Sequence, residues 1–569
     1  MDALVLSWLL PQYGFLLAAL VAIVVPVHLV RVALAILAPL HALLWLLTTA
    51  DTTMAAVDVF GFDLTLVRLD GLSRPFALVF AFAATCSAIY AAHVRSGVQA
   101  IATLLYAGAG IGAVLAGDLV TLFLWWEATA ITSVFLVWAN RTEHAFRAGL
   151  RYLAWQVASG VLLFAGVAIH FGITNSLQFD GFILDNPAAW VLLAAIGIKA
   201  AFPFLNPWLA DAYPAATPTG TVTMSIFTTK MAIYALARSF PGSEILVLVG
   251  CVMALYPIVL AILEDDMRRS LAYALNSQLG LMVAGIGIGG ALGVNGAVSH
   301  AAASVLYQGV LFMGVGAIIA ATGAKRFSEV GGLANAMPVT FICVLVGCTS
   351  ISSVPFFAGF VSKSITIDAA AKTDAFVWAA LLAASVGGVL HTGLKLPWLA
   401  FLRGNRAPGP KAPLNMMAAM LLMSIACLAF GMAPSLFYAA LPETMEYEPY
   451  TASHLVAQGQ MLALALLVFL VAVAWRVWPI PKRSRLLEID WVWRGLLGPV
   501  VAFSATALGA VWSEGGRGWN ALMRRAQGVL RKGYGPDSFA ARVLSTGNMA
   551  IWIAIILGAA LFANLLDIR

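Results

Sequence analysis

Apolar runs long enough to cross the hydrocarbon core of a bilayer recur along this 569-residue sequence. A transmembrane helix needs about 20 predominantly apolar residues, and only 10% of the residues are charged, against about a quarter in a soluble domain. About sixteen runs are present, at residues 4–24, 28–49, 75–94, 98–117, 119–139, 152–172, 188–206, 219–237, 244–263, 270–289, 295–322, 338–360, 375–401, 413–433, 457–475 and 547–565. The sequence therefore predicts an all-α polytopic membrane protein, since alternating β-barrel segments do not dominate.

The charged residues alternate between loops, which argues against nucleic acid as the partner of the +6 net charge. One set of loops is basic, with Arg31, Arg95, Arg141, Arg147, Arg151, Arg268, Arg269, Lys325, Arg326, Arg403, Arg406, Lys411 and the run from Arg476 to Arg494. The other set is mostly acidic, with Asp51, Asp58, Asp63, Asp70, Asp180, Asp185, Glu443, Glu446 and Glu448. Because basic loops stay in the cytoplasm, we expect a bacterial inner-membrane protein with a periplasmic N-terminus. The segment 4–23 has no basic leader region and is predicted to be a retained helix.

The C-terminal part is less regular than the rest of the chain. Residues 495–512 are rich in Gly, Ala and Ser, and a crossing there would leave six basic residues between Arg517 and Arg542 outside. Apolar side chains in the following stretch share one helical face, which favours a lateral amphipathic segment on the cytoplasmic surface. A seventeenth span followed by a short basic loop stays open as the alternative.

Buried lysines are the first functional signal. Of nine Lys residues, four lie within or at the edge of apolar segments, namely Lys199, Lys230, Lys363 and Lys395. A charge at a helix centre costs about 2.5–3.5 kcal/mol on insertion scales, so it faces a protein interior or water and usually has a function. Desolvated Lys can exchange its proton, whereas Arg keeps it. For Lys395, near the end of its segment, a side chain that reaches the membrane surface is an equal alternative.

One acid matches these lysines. Glu127 lies about eight residues into the apolar segment LVTLFLWWEATAITSVFLVW. A buried carboxyl group must be paired or protonated, and a pair with a Lys on a neighbouring helix would couple the proton affinities of both groups. A purely structural ion pair is the alternative.

Two apolar segments contain proline breaks next to a lysine. Lys199 is followed by Pro203 and Pro207, and Pro355 precedes Lys363. Proline frees backbone carbonyls, which lipid tolerates only where protein or water satisfies them. Two interrupted helices in comparable places of two halves indicate internal repeats with a site between them.

The sequence lacks the usual signs of a cofactor or metal site. Five cysteines are scattered through apolar segments without a CxxC pair, and no Gly-rich phosphate loop or dinucleotide motif is found. We therefore predict no cofactor, no metal site and no catalytic residues in the sense of an enzyme active site.

Residues from about Asp63 to Leu402 resemble the antiporter-like proton-pumping family. Its members are the large antiporter-like subunits of respiratory complex I, Mrp-type sodium/proton antiporter subunits and subunits of membrane-bound hydrogenases. The resemblance is carried by RLDGLSRPF, LFLWWE, IKAAFPFLNPWLADAYPAATPT, TTKMAIYALAR, LEDDMRRSLAYALNSQLGLM, GGLANAMPVT and PFFAGFVSK.

The resemblance implies a fourteen-helix core with two inverted five-helix repeats at about 98–237 and 244–401, each with one broken helix. N-terminal helices at 1–97, further helices at 402–476, the basic and lateral segment at 477–545 and a last helix at 546–569 would complete the chain. The resemblance also implies proton-transfer roles for Glu127, Lys199, Lys230 and Lys363, joined by a hydrated axis at mid-membrane depth.

The eleventh helix departs from the family pattern. The family has His, His and Lys four residues apart there, whereas this chain has His300, Ser304 and Gln308. These three positions share a helical face, but Ser and Gln store no proton at neutral pH. Either water fills the gap, or His300 together with His391 carries the step, or the unit has lost transport and kept a coupling role.

The type of assembly is less clearly indicated. Lys230 resembles the D-type Mrp subunit and the middle complex I subunits, the lateral segment resembles the distal complex I subunit, and HTGLKLPWLAF favours the Mrp branch. We therefore predict a proton-translocating subunit of a multi-subunit Na⁺/H⁺ antiporter, with other membrane subunits, protons, Na⁺ and the lipid bilayer as partners. The alternative is a proton-pumping subunit of a complex I-like, hydrogenase-like or other energy-coupled complex, including inorganic-carbon uptake. Only a complex I-like assembly would make the chain part of an enzyme.

Overall fold

A computed structural model describes residues 10–59, 61–404 and 411–479, together with the single positions 493, 525 and 555. The chain divides into two compact units, Met1–Leu486 and Leu487–Arg569. Apart from those single positions and residues 477–479, the predicted lateral segment and last helix lie outside the described residues. The first unit contains every described segment that is longer than one residue.

The first unit is built from helices that follow one another through short connections. In chain order the helices are α1 (Pro11–Val24), α2 (His28–Thr48), α3 (Ser73–Ala91), α4 (Gly97–Leu115), α5 (Leu119–Trp138), α6 (Glu143–Thr174), α7 (Pro187–Lys199), α8 (Pro207–Ala215), α9 (Pro218–Ile226), α10 (Thr228–Ser239), α11 (Glu244–Leu263), α12 (Met267–Ile288), α13 (Gly290–Thr322), α14 (Pro338–Ile351), α15 (Ala358–Thr373), α16 (Ala375–Gly388), α17 (Leu414–Met432), α18 (Pro434–Tyr438) and α19 (Ala452–Ala474). A 3₁₀ turn at Phe327–Glu329 and π-helical turns at Val389–Lys395 and Trp398–Leu402 complete the helical elements.

The helical membrane fold predicted from the sequence is confirmed. Eleven helices in the described part of the chain are long and apolar enough to cross a bilayer, and three shorter apolar helices accompany them. The most central are α12 and α13, whose apolar windows are 94% and 89% buried inside the protein. In α2 and α19 those shares are only 22% and 11%. The ionisable residues of interest are therefore surrounded by a ring of apolar helices.

A β-hairpin, which the sequence analysis does not predict, lies between α2 and α3. Strands β1 (Thr52–Val59) and β2 (Phe62–Leu69) pair antiparallel around a turn at residues 60–61. The turn requires Gly61, whose φ of 82° is in the left-handed region. The acidic residues of this stretch indicate a loop, but apolar side chains alternate with them along β2, and Leu64, Val67 and Leu69 are buried.

An ionic cluster joins the hairpin to the end of α10. The Arg238 guanidinium donates to both carboxylate oxygens of Asp70, at 2.8 and 2.9 Å. Arg68 contacts Asp70 at 2.9 Å and Asp180 at 2.9 Å. Burial alone would raise the pKa of Asp70, but the hydrogen bond and charge of Arg238, the Ser73 amide and Arg68 outweigh it and hold this pKa at about 2. The cluster therefore stays ionised at neutral pH.

The two proline breaks have the same backbone geometry. The first separates α7 from α8 and has positive φ at Ala201 and Phe204, and the second separates α14 from α15 and has positive φ at Ser353 and Phe356, in each case 152 residues later. Three backbone hydrogen bonds recur with the same offset, from Ala201 to Ile198, Phe202 to Gly197 and Leu205 to Phe202, and from Ser353 to Ser350, Val354 to Thr349 and Phe357 to Val354. Such identity of a strained backbone indicates an internal repeat.

Helix starts repeat as well. Asp118 caps α5 by accepting from the amides of Val120 and Thr121, and Asp266 caps α12 by accepting from Arg268 and Arg269. Each cap also forms a short antiparallel bridge, Asp118 with Gln178 and Asp266 with Arg326. The repeats thus comprise α4 to α10 and α11 to the π-helical turns, each with five crossings of which one is broken. An odd number of crossings makes the second repeat start from the opposite side of the membrane. The domain boundaries given above stay a prediction.

Candidate functional site

Lys199 lies at the end of α7, at the first break, and is completely buried. Its Nζ donates to the Trp126 carbonyl at 2.6 Å and to the Thr129 hydroxyl at 2.8 Å, both on α5. The ammonium also lies 4.5 Å from the centre of the Trp126 ring. The Trp126 indole is itself fixed, because it donates to Ser159, which donates to the Ala195 carbonyl. The anchor of Lys199 is therefore preorganised by three helices.

Glu127 follows Trp126 directly, but its carboxyl group is not the partner of Lys199. The Glu127 Oε1 atom is buried and has no hydrogen-bond partner among the described residues. It fits against α6 only because residue 160 is glycine, since a Cβ there would overlap the carboxyl group. A carboxyl group without a partner next to an anchored ammonium is an arrangement that can switch, because Lys199 has a second acceptor one residue away.

Lys230 lies just after a further break that the sequence does not predict. The span of α9 and α10 is interrupted at Phe227, and the Lys230 Nζ donates back across this break to the Ser225 carbonyl at 2.9 Å. Tyr106 of α4 holds the other side, since its hydroxyl accepts from the Thr228 amide at 3.1 Å and bonds the Thr228 hydroxyl at 2.5 Å. The buried lysine thus satisfies a carbonyl that the break exposes.

His300, on α13, lies at the junction of three helices. Its Nδ1 is 3.2 Å from the Ser362 hydroxyl of α15, and its Nε2 is 3.2 Å from the Gln278 side-chain oxygen of α12. The Tyr307 hydroxyl lies 3.3 Å from the same Nε2. Tyr307, Gln278 and Ser362 are missed by the sequence analysis. The run Asn-Ser-Gln at 276–278 inside an apolar segment was the available signal.

Lys363 occupies the second break. It is 1% exposed, and its Nζ donates to the Ile351 carbonyl at 2.8 Å, at the end of α14. Because Ser362 precedes it and contacts His300, the two predicted proton carriers are linked through neighbouring residues of α15. The structure therefore brings His300 and Lys363 together around one short segment.

Ser304 and Gln308 fill the positions at which the family has His and Lys. Both are completely buried. The Ser304 hydroxyl and both polar atoms of the Gln308 amide have no hydrogen-bond partner among the described residues. Buried polar atoms without a protein partner are typically satisfied by ordered water. Of the possibilities raised by the sequence, the burial and polarity of this stretch favour a water-filled gap.

His391 and Lys395 form a separate cluster in the first π-helical turn. Lys395 is 3% exposed and does not reach the membrane surface, because its Nζ donates to the carbonyls of Ala261, Ile262 and Glu264 at the end of α11, at 3.2, 2.9 and 2.7 Å. The His391 Nε2 lies 2.6 Å from the Ser270 hydroxyl. Lys395 thus acts as a helix C-cap, which accounts for its burial.

Comparison with known proteins agrees with this geometry. Residues 116–390 match the family model described as the transmembrane region of NADH:quinone oxidoreductase and Mrp antiporters. The chain belongs to this antiporter-like family. The matched region begins just before α5 and ends in the first π-helical turn, so it contains every predicted proton-transfer residue from Glu127 to Lys363. The roles of the individual residues stay predictions.

Two curated relatives are named as antiporter subunits. The chain is 30% identical over 356 residues to a subunit of the Na⁺/H⁺ antiporter of Alkalihalophilus pseudofirmus, covering 55% of this chain and 44% of the relative. It is 27% identical over 412 residues to a subunit of a probable K⁺/H⁺ antiporter of Rhizobium meliloti, covering 67% of this chain and 41% of the relative. The chain thus spans less than half the length of these relatives.

Two solved structures share the fold. A chain of the Mrp complex from Dietzia superposes with a TM-score of 0.69 at 21% identity, covering 80% of this chain and 97% of that one. A chain of a membrane-bound sulfane sulfur reductase, an archaeal respiratory complex, superposes with a TM-score of 0.70 at 21% identity, covering 97% and 99%. Both belong to multi-subunit membrane complexes, which confirms the fold class predicted from the sequence.

Proposed function

We propose that this chain is a proton-translocating subunit of a multi-subunit Mrp-type antiporter that exchanges protons for a monovalent cation, with Na⁺ as the cation. The proposal is supported by the antiporter names of the two curated relatives. It places the chain in a bacterial inner membrane beside other membrane subunits, with the N-terminus on the periplasmic side as the positive-inside pattern predicts.

The observation that carries the proposal is the anchoring of Lys199 on Trp126 and Thr129 next to an unpartnered Glu127. A purely structural ion pair would be closed and fully hydrogen-bonded, because an uncompensated buried charge is costly. Here the acceptor next to the carboxyl group is a backbone carbonyl and a hydroxyl. The open arrangement supports a relay in which Lys199 alternates between two acceptors.

In the proposed relay, the position of Lys199 controls the protonation of Lys230. Helix α7 packs against α10, which carries Lys230. When the Lys199 ammonium moves to Glu127, its charge is neutralised locally and Lys230 more readily accepts a proton from water. When Lys199 returns to Trp126, Lys230 releases its proton, because like charges in a low-dielectric interior repel.

The second half would receive that proton through His300 and pass it to Lys363. Ser362 contacts His300 and precedes Lys363 in the chain, so the two carriers share one helical turn of α15. Water at the unsatisfied Ser304 and Gln308 atoms would join this half to the first. Lys363 is then the far exit or entry of the path.

The experiment is cation-dependent proton exchange in inverted membrane vesicles that carry the full assembly. Lys230→Ala should abolish exchange while the assembly persists, because it removes the buried cation at the α9–α10 break. The matched control is Lys372→Ala, since Lys372 is exposed and pairs with Asp368 on the same helix. Full exchange by Lys230→Ala would refute the proposal.

The same vesicles distinguish the alternative of an energy-coupled pump. An antiporter exchanges cations when only a pH gradient is imposed, whereas a pump subunit needs its redox or other driving reaction. Exchange that appears only when an electron donor is supplied would favour the pump and exclude the antiporter.

A further inference from the structure

A cavity of about 440 Å³ lies where the start of α2 meets the end of α3 and the start of α4. Small apolar side chains, chiefly alanine, form most of its wall, and Arg31, Arg95 and His28 contribute positive or ionisable groups. No carboxylate is among the described residues that line it. The cavity therefore combines an apolar interior with an uncompensated cationic rim.

The two arginines are available for a ligand. Of the three guanidinium nitrogens of Arg31, only Nε has a hydrogen-bond partner among the described residues, the Ala22 carbonyl at 2.9 Å. Gly97 lets this guanidinium lie against the first turn of α4, since a Cβ there would be 2.8 Å from the Arg31 Cζ. Arg95 is exposed and forms no ion pair within the described part of the chain. Two guanidinium groups at one cavity match the geometry of a phosphate.

The surroundings of the cavity are apolar and face outward. Along α2 the side chains of Leu29, Leu37 and Leu44 are 75%, 59% and 62% exposed. Such a surface on a membrane-spanning helix is covered by lipid chains. A ligand at this place would therefore have an acidic group between the arginines and an apolar part along α2.

We propose that this cavity binds an anionic phospholipid, with its phosphate between Arg31 and Arg95 and one acyl chain along the exposed face of α2. Arg31 and Arg95 line one cavity, so they lie on the same face of the membrane, which the positive-inside pattern assigns to the cytoplasm. Basic pockets between transmembrane helices on that side suit acidic lipid headgroups. A metal cation would be repelled by the arginines, and a soluble anion would leave the apolar face uncovered.

The cavity adjoins the span that carries Lys230. Gln99 lines the cavity, donates to the Thr219 hydroxyl at 2.5 Å and accepts from the Thr217 hydroxyl at 3.2 Å. Thr217 is the N-cap of α9. A bound lipid would thus lie directly behind the residue that fixes the start of this broken span.

The test measures lipid retained by the full chain in its assembly, by native mass spectrometry after reconstitution with phosphatidylglycerol or phosphatidylcholine. Each arginine near an anionic headgroup contributes about a fivefold gain in affinity, so Arg31→Gln with Arg95→Gln should weaken phosphatidylglycerol binding about 25-fold. The control Arg147→Gln removes a cation that is exposed and already paired with Glu143, and should change nothing. The double Lys variant keeps the charge and should retain most binding, which separates lost affinity from misfolding.

Three results would overturn the proposal. The double Gln variant could retain phosphatidylglycerol as the unchanged protein does, or the unchanged protein could retain phosphatidylcholine equally well. Millimolar inorganic phosphate could displace phosphatidylglycerol completely, which would show a site for a free anion. The proposal does not depend on the transported cation, so loss of exchange by Lys230→Ala bears on it in neither direction.

Discussion

Thr129 decides how firmly Lys199 is held away from Glu127, and Thr129→Val tests this directly. The Thr129 hydroxyl accepts from the Lys199 Nζ at 2.8 Å and donates to the Trp126 carbonyl at 2.7 Å. Valine has nearly the same shape but no hydroxyl. The variant therefore removes one of the two acceptors of the ammonium and leaves the helix and its packing in place.

The size of the effect follows from the charge of the donor. A hydrogen bond to a charged group contributes about 1.5–3 kcal/mol, and about 1.4 kcal/mol is a factor of ten in an equilibrium constant. Loss of this acceptor should shift the balance of Lys199 towards Glu127 by about 10- to 100-fold. If exchange needs Lys199 to return to Trp126, the exchange rate should fall at least tenfold, because the closed pair then predominates.

The assay is cation/proton exchange in vesicles that contain equal amounts of assembled complex. Thr132→Val is the matched control, since Thr132 lies on the same helix and its hydroxyl donates only to the Ala128 carbonyl of its own helix. Equal exchange by both variants and the unchanged protein would refute the switching role of Lys199. A Thr129→Ser variant keeps the hydroxyl and should restore most activity.

Two further predictions concern other parts of the molecule. Gln308→Lys should raise the exchange rate in the same vesicles if the gap next to His300 limits the path; an unchanged rate would show that this position is not limiting. Asp70→Asn should lower the free energy of unfolding by about 1 kcal/mol at pH 7, after allowance for solvent screening, with Asp63→Asn, exposed on the same hairpin, as the control. Because the pKa of Asp70 is about 2 in the folded protein, below its unfolded value near 4, the contribution is complete above about pH 4, and the variant should approach the parent as pH falls to 2; a constant difference from pH 7 to pH 2 would contradict it.

The helices and the buried ionisable residues could be predicted because hydrophobicity and charge are local properties of the sequence. A lysine in an apolar run has to face the interior, so the burial of Lys199, Lys230 and Lys363 follows from its cost in lipid. Proline marked two of the breaks in advance. The break at Phe227 has no proline, and its only signal is a run of polar residues that a membrane helix also tolerates.

Partners across helices could not be predicted in the same way. The sequence indicates that Glu127 and Lys199 belong together, but whether Lys199 contacts the carboxyl group or the preceding carbonyl depends on packing by Gly160 and Ser159 of a third helix. The role of Lys395 as a helix cap depends likewise on the end of α11. Such contacts are set by tertiary geometry, which no pattern within a single segment encodes.

The duplicated break has an electrical consequence. Lys199 precedes the break of its repeat, whereas Lys363 follows the break of the other repeat. Since the repeats run in opposite directions through the membrane, both lysines belong to half-helices on the same side of the bilayer midplane. Lysines at equivalent positions would face opposite sides and respond to membrane voltage in opposite senses. In this arrangement the transmembrane potential, worth about 2.3 kcal/mol per elementary charge per 100 mV, biases the charging of both lysines in the same direction.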